Sequence, residues 1–195
     1  MQIGQGIRIT GGVIISPRPP LVVLPDPGGA VPLPNKLAGL YRRSYQGYFA
    51  DRVDFFDTAT LRLRGISNPY IQLSGFDTGD GFSAQWLGYF KPPTTDTYTF
   101  YSTSDDASYI WIGDNAVSGY TLSNALVKNG GPHTSTEKFG QVHLTEGADQ
   151  YYPIRIQYGD FNGAQTMSVS YSTPGITKTN NFNNLIYYNL DTGGI

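Results

Sequence analysis

From Leu40 onward, apolar and polar residues alternate in short runs broken by turn residues, which is the period of half-buried strands and not of helices. The pattern predicts strands at Phe82 to Phe90, Thr97 to Ser102, Ser108 to Ile112, Gln141 to Leu144, Tyr151 to Tyr158, Met167 to Tyr171 and Ile186 to Tyr188. Phe82 to Phe90 is rich in aromatics and stops at Lys91-Pro92-Pro93, where proline removes the amide donors that a strand needs. Tyr45 to Thr60 is the best helical stretch, with a pattern sufficient for a turn or two, and Thr121 to Val127 suits another short turn.

The first 40 residues follow no such pattern. They hold none of the 15 Tyr, 10 Phe and 2 Trp, while 7 of the 13 prolines fall between Pro17 and Pro34. Proline at this density favours polyproline II or edge conformations, so the stretch cannot build a core of its own. It predicts an extended Pro/Gly-rich arm over residues 1–38, ahead of one folded unit over residues 39–195. Its Val and Leu residues suit ordering against a neighbouring subunit, and a flexible tail is the plainer alternative. Glycines interrupt the apolar residues of the N-terminus and only Arg8 precedes Val13, so a cleaved secretory signal is not expected. No run approaches the ~20 apolar residues of a membrane span.

Composition sharpens the fold class. The 15 acidic residues divide into 13 Asp and 2 Glu, and Asp favours turns and hard-cation sites where Glu favours helix interiors. With 24 Gly and 13 Pro beside the aromatics, the chain reads as all-β, a sandwich or barrel. A formal charge of -2 leaves no basic field to draw nucleic acid or an anionic membrane. Without Cys there is no disulfide, thiolate zinc site or cysteine nucleophile, and two histidines, His133 and His143, make a multi-histidine metal site unexpected.

The densest chemistry lies between Tyr89 and Asp114: a strand, a Pro92-Pro93 turn, a strand from Thr97, an acidic turn at Ser104-Asp105-Asp106, and a strand through Tyr109-Ile110-Trp111. Adjacent carboxylates repel, which raises the pKa of one or calls for a cation between them. Calcium, which takes six to eight oxygens, is one answer, and a solvated turn whose Asp side chains bond their own backbone is the other. This Pro/Thr turn, Tyr-x-Phe strand and Ser-Asp-Asp block resembles the PA14 superfamily, and within it the GLEYA-type adhesin domains. Asp96 stands where that pattern usually has a glycine. The likeness runs from about Gly39-Leu40-Tyr41 to Pro174 and takes in Tyr151 to Tyr158 as a late strand.

The resemblance implies a PA14-like β-sandwich whose two aspartates are joined by a cis peptide and hold calcium at the tip, with sugar hydroxyls completing the coordination. Asp105 and Asp106 match the motif directly. Two residues beyond Tyr158, where sugar-binding members carry Asn, this chain has Asp160, with Asn162-Gly163 close behind. Asp105, Asp106, Asp160 and Asn162 are therefore the candidate metal ligands, and Asp105, Asp106 and Asn162 the candidate sugar contacts. Backbone carbonyls from Phe161 to Ala164 are further candidate ligands.

Catalytic readings fare worse. Asp77-Thr78-Gly79 and Asp191-Thr192-Gly193 look like the paired signatures of aspartic proteases, but only two residues follow the second. Asp77 to Gly81 lacks the distal Glu of a calcium-binding EF-hand and reads as a turn. Glu137 and Glu146 flank the Gln141 to Leu144 strand as solvated ends and make a poor glycosidase pair. Trp86, Trp111 and most tyrosines suit a core, and Tyr120 with the 117–124 loop is a possible sugar-stacking element beside the tip. The chain is thus expected to be non-enzymatic. The favoured placement is a virion structural component of a bacteriophage, in capsid, tail or fibre, whose arm binds neighbouring virion subunits in a larger oligomeric assembly and whose tip contacts host glycans. A purely structural protein without sugar binding and a secreted, calcium-dependent adhesin of the cell surface are the alternatives.

Overall fold

The structure is a computed structural model and describes residues 24–192 and 194–195. Two antiparallel sheets face each other. The larger contains β1 (Lys36–Ala38), β2 (Leu40–Gln46), β3 (Leu61–Ser67), β4 (Phe82–Phe90), β6 (Ala107–Ile112), β7 (Val127–Asn129), β9 (Tyr152–Asp160) and β12 (Ile186–Asn189). The smaller has the order β11 (Ile176–Thr179), β10 (Thr166–Thr173), β5 (Asp96–Asp105), β8 (Thr136–Leu144). The all-β sandwich predicted from the alternation is the fold observed.

Period-two burial explains the arrangement. In β5, Tyr98 and Phe100 are fully buried while Thr97, Tyr101 and Thr103 point outward, and in β10 Met167, Val169 and Tyr171 alternate with Ser168, Ser170 and Ser172. Central strands β4 and β9 are buried on both faces, so they read as near-continuous apolar runs. Phe90 sits where the sheets meet, with ring centroids 5.5 Å from Tyr98, 5.2 Å from Phe100 and 6.0 Å from Tyr171. Trp86 and Trp111 are fully buried, as expected of strand-spaced aromatics.

Helix is minimal. Of the Tyr45 to Thr60 stretch only α1 (Phe55–Thr58) is helical, its first residues having gone to β2. A second single turn, α2 (Asp114–Val117), follows β6, and Thr121 to Val127 holds a turn before β7. Strands β2 and β3 were not among those predicted: the adjacent Arg42 and Arg43 break the alternation of β2, while Leu61-Arg62-Leu63-Arg64 of β3 does alternate but is too short a run, and largely exposed, to stand out. The Arg42 guanidinium lies over the Phe76 ring, 3.9 Å from its centroid.

Residues 24–38 of the expected arm are extended but docked. The Asp26 carboxylate accepts hydrogen bonds from Tyr152 Oη at 2.7 Å and Thr145 Oγ1 at 3.2 Å, Val31 bridges to Tyr151, Leu33 is buried, and β1 pairs with β12. Residues 1–23 of that arm lie outside the described residues. These contacts gather at one end of the sandwich, with the 91–95 and 145–151 connections. The other end, called the tip below, collects the loops at 47–54, 106, 130–135 and 161–165 and the last part (74–81) of the 68–81 connection, which starts at the opposite end with the Pro69 carbonyl accepting the Phe182 amide.

Phe90→Ala removes a ring from the centre of an inter-sheet aromatic cluster that cannot collapse around the gap. It is expected to cost about 3–5 kcal/mol, read as a lowered urea midpoint at unchanged m-value.

Candidate functional site

The tip is built where the chain crosses between sheets. β5 lies in the smaller sheet and β6 in the larger, and only Asp106 separates them. The Asp105–Asp106 peptide is cis. Two more crossings flank this corner: β7 to β8 through residues 130–135, and β9 to β10 through residues 161–165. The register Phe82↔Asp160 brings the last residues of the 68–81 connection to the same end.

Beneath the corner lies a polar cluster. Ser108 Oγ is 2.7 Å from Ser102 Oγ and 2.8 Å from Ser104 Oγ, and Asn129 Nδ2 donates to Ser104 Oγ and to the Thr136 carbonyl, each at 2.9 Å. These buried hydroxyls satisfy one another and tie the two sheets together where a purely apolar contact would leave the corner free to slide.

Each predicted acidic residue takes a distinct position. Asp106 Oδ1 accepts the His133 amide and Oδ2 the Phe161 amide, both at 2.8 Å, so one carboxylate clamps both flanking loops. The Asp105 carbonyl accepts Tyr158 Oη at 2.6 Å. Burial, followed by the charges of Asp160, Asp106 and Asp105, pushes the Tyr158 phenol well above its ordinary range and keeps it a donor. Asp160 ends β9 fully buried; its Oδ2 accepts the Gly81 amide at 3.2 Å, while its Oδ1 is buried with no hydrogen-bond partner. Asn162 lies exposed in the loop beyond, and its side chain makes no hydrogen bond to the three carboxylates. The structure therefore gathers Asp105, Asp106 and Asp160 at one end and leaves Asn162 at their margin.

The electrostatics are one-sided. Burial raises the Asp160 carboxyl to about 6 against the opposing pull of the Gly81 amide, and Asp106, Asp80 and Asp105 add repulsion. Among the described residues the ion pairs are Arg52 to Asp54, Arg62 to Asp77 and Lys178 to Glu137, and none of these cations reaches the tip carboxylates. Oxygen-only donors, an orphaned buried carboxylate oxygen and uncompensated negative charge fit a hard cation. Among the described residues, however, no group of three or more His, Asp or Glu side chains is placed to hold a metal by itself. Further oxygens are needed to close a shell.

Several contributors were not legible in advance. His133 and Phe161 act through backbone amides, and Gly81 likewise, so residue type gives no clue. The Asp77 to Gly81 segment is the turn expected, with Asp77 held by Arg62 at 2.9 Å, but it also delivers Gly81 to Asp160. The 117–124 loop expected beside the tip lies at the opposite end. β6 runs away from Asp106, and Tyr120 packs at its far end on Trp111, 5.9 Å between centroids, and under Arg155 at 4.1 Å. At the tip it is instead Phe161 that presents an exposed ring, 49 % exposed and 5.5 Å from the half-buried Tyr48.

Residues 82–173 match the family model of the GLEYA domain. The flocculation protein FLO1 of Saccharomyces cerevisiae is 28 % identical over 148 residues, covering 66 % of this chain but 9 % of its own length. The chain thus spans about a tenth of the length of the curated flocculation proteins that it matches. Among solved structures, the Epithelial Adhesin 9 A domain of Candida glabrata, in complex with Galβ1-4GlcNAc, aligns with a TM-score of 0.65 at 19 % identity, over 87 % of this chain and 98 % of that one. The PA14 domain of the antifreeze protein MpAFP aligns with a TM-score of 0.61 at 16 % identity, over 80 % and 93 % of the two chains. The fold is that of the PA14 and GLEYA-type adhesin domains.

A carboxyl raised in the folded state binds a proton that the unfolded chain has released, so it destabilises as pH climbs from its unfolded value of 3.8 to about 6. With chelator present, stability should fall across that window. Asp160→Asn should flatten the fall and raise the urea midpoint at pH 7; a variant with the wild-type pH slope would overturn this assignment.

Proposed function

We propose that this chain is a non-enzymatic, calcium-dependent glycan-binding domain of a cell-surface or extracellular adhesin. The observation that carries the reading is the tip itself: three aspartates with no Lys or Arg ion pair among the described residues, one presenting a buried oxygen without a partner, in a fold shared with an adhesin domain solved with a β-galactoside. The same comparisons favour the adhesin reading over a virion component, because the proteins matched include a flocculation protein and an epithelial adhesin.

In this reading Asp105, Asp106 and Asp160 hold the ion, with Asn162 and the carbonyls of residues 161–164 as the additional donors. Calcium bound there supplies open coordination positions that vicinal sugar hydroxyls complete. The chain's own residues set the geometry. Asp106 uses one lone pair on each oxygen to fix the two flanking loops and keeps the others for coordination. Tyr158 anchors the Asp105 carbonyl from below, and Gly81 orients Asp160 so that its free oxygen turns inward. Phe161 offers an exposed ring face at the margin, suited to stacking on the apolar face of a sugar.

Carboxylate replacement of the usual third Asn strengthens the charge of the site. It favours calcium retention, while glycan binding depends on the positions that the ion leaves open. Calcium at a hundred times its dissociation constant should raise the melting midpoint by about 5–10 °C, and EGTA should reverse the shift. Asp106→Ala should abolish both that shift and chelator-sensitive binding of Galβ1-4GlcNAc on a glycan array. No calcium shift in the wild-type chain would sink the metal site, and glycan binding that persists in EGTA would sink the bridged mechanism.

A further inference from the structure

The outer face of the smaller sheet carries chemistry that the tip does not use. Strand register places three rows of outward side chains across β10, β5 and β8: Ser168, Thr103 and Glu137; Ser170, Tyr101 and Phe139; Ser172, Thr99 and Gln141. At the end nearest the tip this face is hollowed into a trough of about 430 Å³, lined by Thr103, Glu137, Ser168, Ser170, Lys178 and Asn180. Lys178 reaches from β11 over the neighbouring strands to Glu137, 2.6 Å and 2.7 Å from its two oxygens, and stands 4.2 Å from the Tyr101 ring centroid. Thr103 Oγ1 donates to the same carboxylate at 2.9 Å. Beside the trough, Phe139 is 64 % exposed, the most exposed large apolar side chain among the described residues, with its ring 5.9 Å from that of Tyr101.

We infer that this trough and the Phe139 ring form a second carbohydrate-binding surface, independent of calcium, whose occupant is a neutral glycan chain. The charge decides the class of ligand. Lys178 is neutralised by Glu137, so the trough offers no net attraction to a polyanion or a cation, yet it keeps a fixed ammonium and carboxylate as donor and acceptor. Around them the lining supplies hydroxyls and an amide, each able to donate and accept, which is the complement of a row of sugar hydroxyls. The apolar area is limited to two rings, too little for a protein partner's hydrophobic core but suited to a pyranose face. Position supports the same occupant: Thr103 lies two residues before Asp105, so a chain engaged at the tip continues onto this face. That last point rests on the proposed tip function; the lining chemistry does not.

Affinity electrophoresis of the full chain in gels containing laminarin, yeast mannan or galactomannan, run in EGTA, tests the surface apart from the tip. Wild type should be retarded by at least one of the three. Phe139→Ala should weaken that retardation roughly tenfold, and Lys178→Ala should also reduce it. Both residues are solvent-facing, and unchanged melting midpoints would show that the variants are folded. Asp106→Ala should keep the retardation while losing chelator-sensitive Galβ1-4GlcNAc binding, so either reading can fail alone. No retardation of wild type in any gel, or Phe139→Ala migrating like wild type in all of them, overturns the second surface.

Discussion

The Asp106 carboxylate accepts two backbone amides, those of His133 and Phe161, at 2.8 Å each, and the shape of the tip follows from that single group. Three segments cross between the sheets here, and two of them have no regular partner for the amides nearest the corner. A carboxylate is the side chain that satisfies two donors at once and still retains lone pairs. The loops at 130–135 and 161–165 are therefore fixed relative to the Asp105 corner. The serine and asparagine cluster beneath continues the same logic inside the sandwich, where hydrogen bonds set the spacing of the sheets at this end and aromatic packing around Phe90 sets it at the other.

This construction concentrates negative charge. Asp105, Asp106 and Asp160 are buried or nearly so, and Asp80 adds a fourth carboxylate whose field reaches Asp160. Burial works against the charged form of Asp160 and no Lys or Arg in the described ion pairs answers it. A protein tolerates such an arrangement where something else supplies the countercharge, and strained electrostatics on a rigid scaffold mark a binding site more often than a stabilising feature. The cost is offset by the sheets, whose central strands are buried along their full length.

The opposite end of the sandwich does different work. Asp26, Val31, Leu33 and β1 hold the proline-rich approach against Tyr151, Tyr152 and β12, and the C-terminal turn closes on it through Asn35 and Asp191 at 3.0 Å. Both described ends of the chain therefore lie away from the tip. Proline suits this docked segment because an extended strap needs few amide donors.

Much of the architecture was legible from residue order. Alternation in β5 and β10, the apolar runs of β4 and β9, and the turn residues between them named the sandwich, because a period of two reports directly on which face meets the core. The Ser-Asp-Asp block likewise marked Asp105 and Asp106. What the sequence could not reveal depends on groups that every residue carries or on register between distant strands. The clamp on Asp106 uses main-chain amides of His133 and Phe161, the orphaned oxygen of Asp160 is defined by what fails to reach it, and Tyr120 was sent to the far end by the direction of β6. Lys178 and Glu137 meet across four strands although 41 residues separate them. Side-chain type and period are local properties, so the chain alone determined its strands and its acidic corner; the pairing of backbone groups and the balance of buried charge are set by long-range register, and only the tertiary structure decided them.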